Sequence, residues 1–416
     1  MNIKTQRAID RYLGVPICAL LSGLNRVFYN EPDGVPPNKI LVILLSEMGS
    51  LVLAQPMFMR LKQQYPEASI HVLMFAKNRE VLDLLEVIPP ENVLTLDDSS
   101  LKGLVKDSLW AIRRMRQLKI DAVIDCELFA RISSIFSYLS GAAFRVGFHP
   151  HTQEGLYRGS FINRPVIYNP YRHLTQQFLS LAAALESLTS PPNKLFPPPY
   201  TGKTPVLEFA KGELEAVHKE LHNLYPTIQG KKLVLIYPSG GILPIRAWPL
   251  KNYFQLCQTL LDEGYAVAII GMQSDRAIAQ EVVDHCSDPR CVNLAGYTKS
   301  VRHLLAVFHR ASLLVTNDGG PGQFAALTPQ LPTIIFFGPE TPLLYKSLGS
   351  NAYCFHRALP CSPCLTAYNH RASPCDGDNQ CLKQISPEQV MTKVHEMIGE
   401  PIPPEDRVAA IDPQAL

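Results

Sequence analysis

Short, continuous apolar runs separated by helix-length segments constrain this chain more than any other feature. KILVILL (39–45) is apolar from Ile40 onward, the pattern of a strand buried on both faces rather than one. SIHVLMF, NVLTL, DAVIDC and FRVGF follow, with helical patterns between most of them. Strand alternating with helix builds a parallel sheet covered on both sides. Residues 189–205 (TSPPNKLFPPPYTGKTP) then bring six prolines and few apolar side chains, the composition of an interdomain linker. After them the rhythm restarts with KLVLIYP, YAVAIIG, SLLVTND and PTIIFFG. Two α/β domains are expected, over 37–190 and 206–400, joined by a Pro-rich linker at 191–205. An amphipathic appendage and linker (1–36) precede them, and a tail (401–416) follows.

A length of 416 residues suits two large domains, and 46% hydrophobic against 18% charged residues excludes a disordered chain. Lys and Arg number 39 and Asp and Glu 37, so the chain lacks the basic excess of a general nucleic-acid binder. No apolar run approaches the roughly 18 residues of a membrane span. The short apolar stretch at 15–21 is bounded by Asp10 and Gly14 and broken by Pro16, and no convincing cleavage site follows it. It does not read as a signal peptide, and the expected location is cytoplasmic.

In doubly wound sheets ligands bind beyond the carboxyl ends of the strands. After SLLVT comes Asn317-Asp318-Gly319-Gly320-Pro321-Gly322-Gln323, a small-residue turn into a helix expected to start near Pro321. Glycines admit a ligand close to the backbone, and the helix start attracts an anion, naturally a diphosphate. An ordinary turn with Asp318 as a helix cap would look the same. After KLVLIYP come Ser239, Gly240 and Gly241, then Arg246 ahead of Trp248-Pro249; the guanidinium offers a fork of donors to phosphate oxygens. After YAVAIIG comes Asp275, placed either to bind ribose hydroxyls or to cap a helix. Three anion- or ribose-suited loops at one sheet edge carry more weight than any one of them.

Over roughly residues 38–400 the chain resembles glycosyltransferase family 9, which includes bacterial lipopolysaccharide heptosyltransferases. The likeness rests chiefly on YPSGG…RAWPLKNYFQL, VNLAGYTKSVRHLLAVFHRASLLVTNDGGPGQFAAL and FFGPETP. It implies a GT-B architecture, two Rossmann-like domains facing a cleft with the nucleotide-sugar in the C-terminal one, and an inverting transfer without metal or other catalytic cofactor. By position, Arg246 falls on a diphosphate-binding Lys, and Asp318 and Gly320 on the donor-binding Asp and Gly. Gly319 replaces a hydroxyl residue, Gln323 replaces a His, and Asp275 resembles the acid that contacts the donor ribose. The implied donor is a nucleotide-diphospho-sugar, with precedent leaning to ADP-heptose. The implied acceptor is a cell-surface glycan or lipid-linked molecule such as lipopolysaccharide core.

The N-terminal match contains a departure. The family motif G-D-x-[LV]-x-x-x-P carries the Asp regarded as the base, and here Gly49-Ser50-Leu51-Val52-Leu53-Ala54-Gln55-Pro56 puts Ser50 in its place. A neutral serine is a poor base. Glu47 in the same loop and Glu127 in DCELFAR are the candidates to replace it, each also readable as an ordinary structural carboxylate; neighbouring Asp125 fits inside a strand end. IDRYLG, Gly49-Ser50, Glu127-Leu128-Phe129-Ala130-Arg131, YLSGA and RVGFH match a subset of family-like sequences, GLYRG and YNPYRH follow, and Arg131, Arg145, Arg158 and Arg172 are read as acceptor-side cations, some of them structural or helix-surface charges. Ser50 and Gln323 also allow a degenerate relative that binds nucleotide-sugar or glycan without turnover. A further alternative is another GT-B enzyme such as a sugar-nucleotide epimerase.

Two features stand apart. Cys361, Cys364, Cys375 and Cys381 follow a C-x2-C-x10-C-x5-C spacing with His370 between, which suits a structural zinc, a disulfide pair or free thiols. On a helical wheel Lys102, Lys106, Arg113 and Arg116 fall within about 80° of one another, beside Leu101, Val105, Leu109, Ile112 and Trp110. That pattern suits either a charged soluble face or contact with an anionic membrane.

Overall fold

A computed structural model describes residues 3–28, 36–45, 47–128, 130–148, 157–187, 197, 206–366, 372–373 and 375–399. All but Pro197 of the Pro-rich linker, the tail 401–416 and His370 lie outside the described residues. The chain forms two compact units, one built mainly on residues up to Lys203 and the other on residues from Thr204.

The first unit is a six-stranded sheet of β1 (Lys39–Ile43), β2 (Ser69–Phe75), β3 (Val93–Leu96), β4 (Ala122–Asp125), β5 (Phe144–Phe148) and β6 (Arg164–Val166), in the order β3-β2-β1-β4-β5-β6. The second holds β7 (Leu233–Tyr237), β8 (Ala266–Gly271), β9 (Cys291–Ala295), β10 (Leu313–Asn317), β11 (Thr333–Phe337) and β12 (Ala352–His356). Read from one edge, its order is β9-β8-β7-β10-β11-β12, the same winding repeated. The pairings are parallel throughout. Both sheets therefore follow the dinucleotide-binding order, in which winding reverses between the first and fourth strands and opens a crevice there. The switch points are β1/β4 and β7/β10.

Burial explains the strand choice. Every residue of β7, β10 and β11 is buried, as parallel strands between two helical layers require. The second core centres on Trp248, which stacks on Phe336 at 4.6 Å and donates its indole N–H to the Ile385 carbonyl at 2.9 Å. In the first unit the helix Met48–Gln64 buries an almost unbroken run from Leu51 to Phe58, and Arg60 grips Glu186 of the helix Leu174–Glu186 at 2.9 and 2.7 Å.

The N-terminal segment is more than an appendage. Helices Ile3–Tyr12 and Gly14–Phe28 belong to the first unit. Cys18 and Leu21 are buried with Phe161 and Ile162. Asp10 accepts from the backbone N–H of Arg131 and Ile132 at 2.7 and 3.1 Å, capping the start of the helix Arg131–Leu139 from far away in sequence. A carboxylate there satisfies orphan donors and opposes the helix dipole.

Candidate functional site

The β7/β10 switch point is organised by Asn317, the last residue of β10 and fully buried. Its side-chain N–H donates to the carbonyls of Tyr237 at 3.3 Å and Ser239 at 3.0 Å. Its side-chain oxygen accepts from the Trp248 N–H and the Tyr253 hydroxyl, both at 2.9 Å. One amide thus fastens the glycine-rich turn after β7 to the segment carrying Arg246. The turn is tight: a Cβ on Gly240 would lie 2.6 Å from the Leu243 carbonyl oxygen, and Gly241 has φ +60°, where side chains are disfavoured. Ser239 accepts from the Gly241 N–H at 3.1 Å.

Arg246 closes a short 3-10 turn, Pro244–Arg246, and points into the same region as Asp318. Its Nε lies 3.8 Å from Asp318 Oδ2, too far for a hydrogen bond. Both atoms are buried without a hydrogen-bond partner. A second carboxylate, Glu340 on the loop after β11, pairs with the other arm of the guanidinium. Burial works against the Arg246 charge, but Asp318 and Glu340 outweigh it and hold the guanidinium above its ordinary pKa. Burial pushes the Glu340 carboxyl well above the usual carboxylate range, against the pull of Arg246, and Asp318 adds to the rise. A cation thus faces two carboxylates, and neither Arg246 Nε nor Asp318 Oδ2, though ion-paired, has a hydrogen-bond partner.

The remaining donor-loop residues divide. Pro321 lies in the first turn of a short helix, Gly320–Phe324. Gly319 is extended, and a Cβ there would meet only the Asn317 carbonyl oxygen, at 3.9 Å, so a hydroxyl residue would also fit. A Cβ on Gly320 would lie 3.2 Å from the Phe324 ring. Gln323 is buried and donates to the Tyr345 carbonyl at 2.7 Å, its oxygen left unpaired. Asp275 accepts from the Met272 N–H at 2.8 Å, so it takes the capping role within its own turn.

At the β1/β4 switch point, Glu47 precedes the helix Met48–Gln64 with φ 54°, a strained conformation of the sort that collects at functional sites. It is exposed, and its carbonyl accepts from the Ser50 N–H at 3.0 Å. Glu127 is spent differently: buried, it accepts from the Leu45 N–H at 2.7 Å, anchoring the loop after β1. Asp125 closes β4 and is fully buried against Arg158.

The acceptor-side arginines require correction. Arg158 is buried against Asp125 and donates to the Ala130 carbonyl at 3.0 Å and the Ser133 hydroxyl at 2.9 Å. Arg145 donates to the carbonyls of Phe161 and Ala142 and to Asn25. Arg131 pairs with Asp10 at 3.1 Å and donates to the Tyr157 carbonyl. All three side chains are nearly inaccessible, because a buried guanidinium must find partners for its donors. They stitch the first unit together.

The four clustered cysteines differ in setting. Among the described residues no group of three or more His, Cys, Asp or Glu is gathered closely enough to hold a metal. Cys381 is buried in the second core, its thiol pushed up to about 11 by that burial, while Cys361 and Cys375 are exposed. The segment works as a strap. The N–H groups of Cys364 and Leu365 donate to the Pro339 carbonyl at 2.9 and 2.8 Å, and Ser362 donates to Gly338 at 2.5 Å. Asn379 donates to the Ile245 carbonyl at 2.8 Å. It braces the loops bearing Glu340 and Arg246 from behind.

Comparison with known proteins places the chain in a family. The model of glycosyltransferase family 9 (heptosyltransferase) matches residues 109–373. The chain is 22% identical to lipooligosaccharide heptosyltransferase 2 of Haemophilus ducreyi, covering 87% of this chain and 99% of that protein. It is 24% identical to lipopolysaccharide heptosyltransferase 3 of Escherichia coli, with the same coverage. Among solved structures, E. coli ADP-heptose lipopolysaccharide heptosyltransferase II matches with TM-score 0.64 and 20% identity over 86% of this chain and 98% of that one. An E. coli heptosyltransferase solved with ADP matches with TM-score 0.60 and 17% identity over 86% and 99%. The two Rossmann-like units are those of the GT-B fold. Motifs, double winding and the match to more than half the chain agree: this protein is a glycosyltransferase and belongs to family 9.

Proposed function

We propose that the chain transfers a sugar, a heptose, from a nucleotide-diphospho-sugar to a lipid-linked glycan acceptor such as lipopolysaccharide core, at the cytoplasmic side of the inner membrane. The observation that carries this reading is the Arg246–Asp318–Glu340 group at the β7/β10 switch point, with Arg246 Nε and Asp318 Oδ2 ion-paired across 3.8 Å but without hydrogen-bond partners. The transfer inverts the anomeric carbon and needs no metal. The acceptor hydroxyl loses its proton to a base as its oxygen bonds to the anomeric carbon. The bond from that carbon to the diphosphate breaks, and the nucleoside diphosphate leaves with the electron pair. Arg246 neutralises the charge that grows on the leaving group, the effect a preorganised cation supplies best in a site shielded from water. Glu47 is the base that stands in for the family Asp, its strained backbone holding a carboxylate at the β1/β4 switch point.

The test is nucleoside diphosphate release from a panel of ADP-, UDP- and GDP-sugars, with and without lipopolysaccharide-core acceptors. Acceptor-dependent release is expected. Glu47→Gln should lower kcat by about 10²–10⁴-fold while nucleotide affinity, read by calorimetry, stays unchanged. Nucleotide binding without release on any acceptor overturns the transfer reading. Full turnover in Glu47→Gln removes the base assignment.

A further inference from the structure

The helix Leu101–Leu118 lies on one face of the first sheet and buries only Ala111 and Met115 fully. Leu101, Val105 and Leu109 repeat every four residues on its outer side and are 50–54% exposed; Trp110 beside them is 49% exposed. Lys102, Lys106 and Arg113 lie exposed among them. The helix carries five cations and one acid, Asp107, and that acid turns inward to accept from the Asp97 N–H at 2.9 Å.

A second apolar stripe occupies the same layer. Met115 packs with Phe136 of the helix Arg131–Leu139, and Arg116 donates to the Leu139 carbonyl at 2.6 Å. On its other flank that helix receives Gly14–Phe28 through Cys18 and Leu21. Opposite Cys18 and Leu21, the residues Leu13, Ile17, Leu20, Leu24 and Val27 are spaced as one helical stripe and are 41–74% exposed. No acid interrupts Gly14–Phe28, and Arg11 and Arg26 flank the stripe.

We propose that this layer of the first unit docks on an anionic lipid bilayer, the leucines, valines and Trp110 entering the headgroup boundary while Lys102, Lys106 and Arg113 meet lipid phosphates. Two half-exposed apolar stripes on one layer form a surface that a water-facing protein rarely keeps. Long cationic side chains among apolar ones let their stems lie in the apolar zone and their charges reach phosphate. The charge decides against a second copy as the occupant, since a two-fold contact would set the same cations against one another. The surface serves the lipid-linked acceptor of the proposed reaction and so rests on that reading for its purpose. Its binding is measurable without turnover.

Full-length protein is sedimented with phosphatidylcholine vesicles and with vesicles in which part of the lipid is phosphatidylglycerol. Binding to the anionic vesicles, falling with salt, is expected. The triple variant Lys102→Gln, Lys106→Gln, Arg113→Gln should weaken it on the order of a hundredfold, roughly fivefold per cation. Leu109→Ser with Trp110→Ser should weaken it on both vesicle types. Unchanged circular dichroism and ADP affinity show that each variant is folded. Absence of vesicle binding, equal binding to the two vesicle types, an unaffected triple variant, or self-association abolished by the same substitutions would each overturn the proposal. Vesicle binding without sugar transfer would instead sink only the reaction.

Discussion

Replacing Glu340 with glutamine should strengthen nucleoside diphosphate binding and remove its dependence on pH. Arg246 faces both Asp318 and Glu340. With both carboxylates ionised the trio carries one net negative charge, and with Glu340 protonated it is neutral. At an effective dielectric constant of about 20, two unit charges about 5 Å apart repel by about 3 kcal/mol, on the order of a hundredfold in affinity. A diphosphate replacing Glu340 on Arg246 meets that repulsion only while Glu340 is ionised. Burial raises the Glu340 pKa well above its ordinary value, so the folded protein holds the proton to higher pH than the unfolded chain does. Wild-type affinity should therefore be full below the folded-state pKa and fall as pH rises through it. Stability shifts in the same direction, since the raised group favours the folded state at low pH and that contribution is lost as pH rises through the folded-state pKa. Glu340→Gln should bind as the wild type does at low pH, with a flat profile. Calorimetric titration with ADP and UDP across the full pH range in which the protein stays folded, in two buffers of different ionisation enthalpy, reads both affinity and proton uptake. Weaker binding by Glu340→Gln at every pH would refute the reasoning and make Glu340 a support for Arg246 instead of its competitor.

Two other substitutions probe the scaffold. Asp125→Asn leaves Arg158 buried without a counter-charge and should cost about 3–5 kcal/mol, read as an earlier urea transition; replacing both residues with apolar ones should recover most of it. Asn317→Ala removes four hydrogen bonds at one buried point and should cost about 2–4 kcal/mol while lowering nucleotide affinity, measured by denaturation and calorimetry on the same preparation.

The long strands were legible because a strand covered on both faces has to be a continuous apolar run. The edges were harder. β6 is three residues long with Pro165 at its centre, and proline is tolerated there because an edge strand has a free side. β12 is only half buried, so its pattern mixes polar and apolar residues. At the site, that the loops bearing Arg246 and Asp318 share one sheet edge was legible; that the two side chains face each other at 3.8 Å was not. Glu340 stayed hidden because its partner lies 94 residues away, although an acid just after a buried strand at that edge was a usable signal. Asn317 offered a similar one, a polar residue closing an apolar run. The arginines failed for the same reason in reverse: sequence shows a cation but not the distant oxygen that consumes it, as Arg131 with Asp10 across 121 positions illustrates.

Because a single amide holds the glycine turn, the indole segment and the tyrosine beneath them, these pieces cannot drift apart in evolution one at a time. A residue gained or lost in either loop would tear the anchor of the other. Change at this switch point should therefore come by exchanging what the loops display, with their lengths inherited as a matched set.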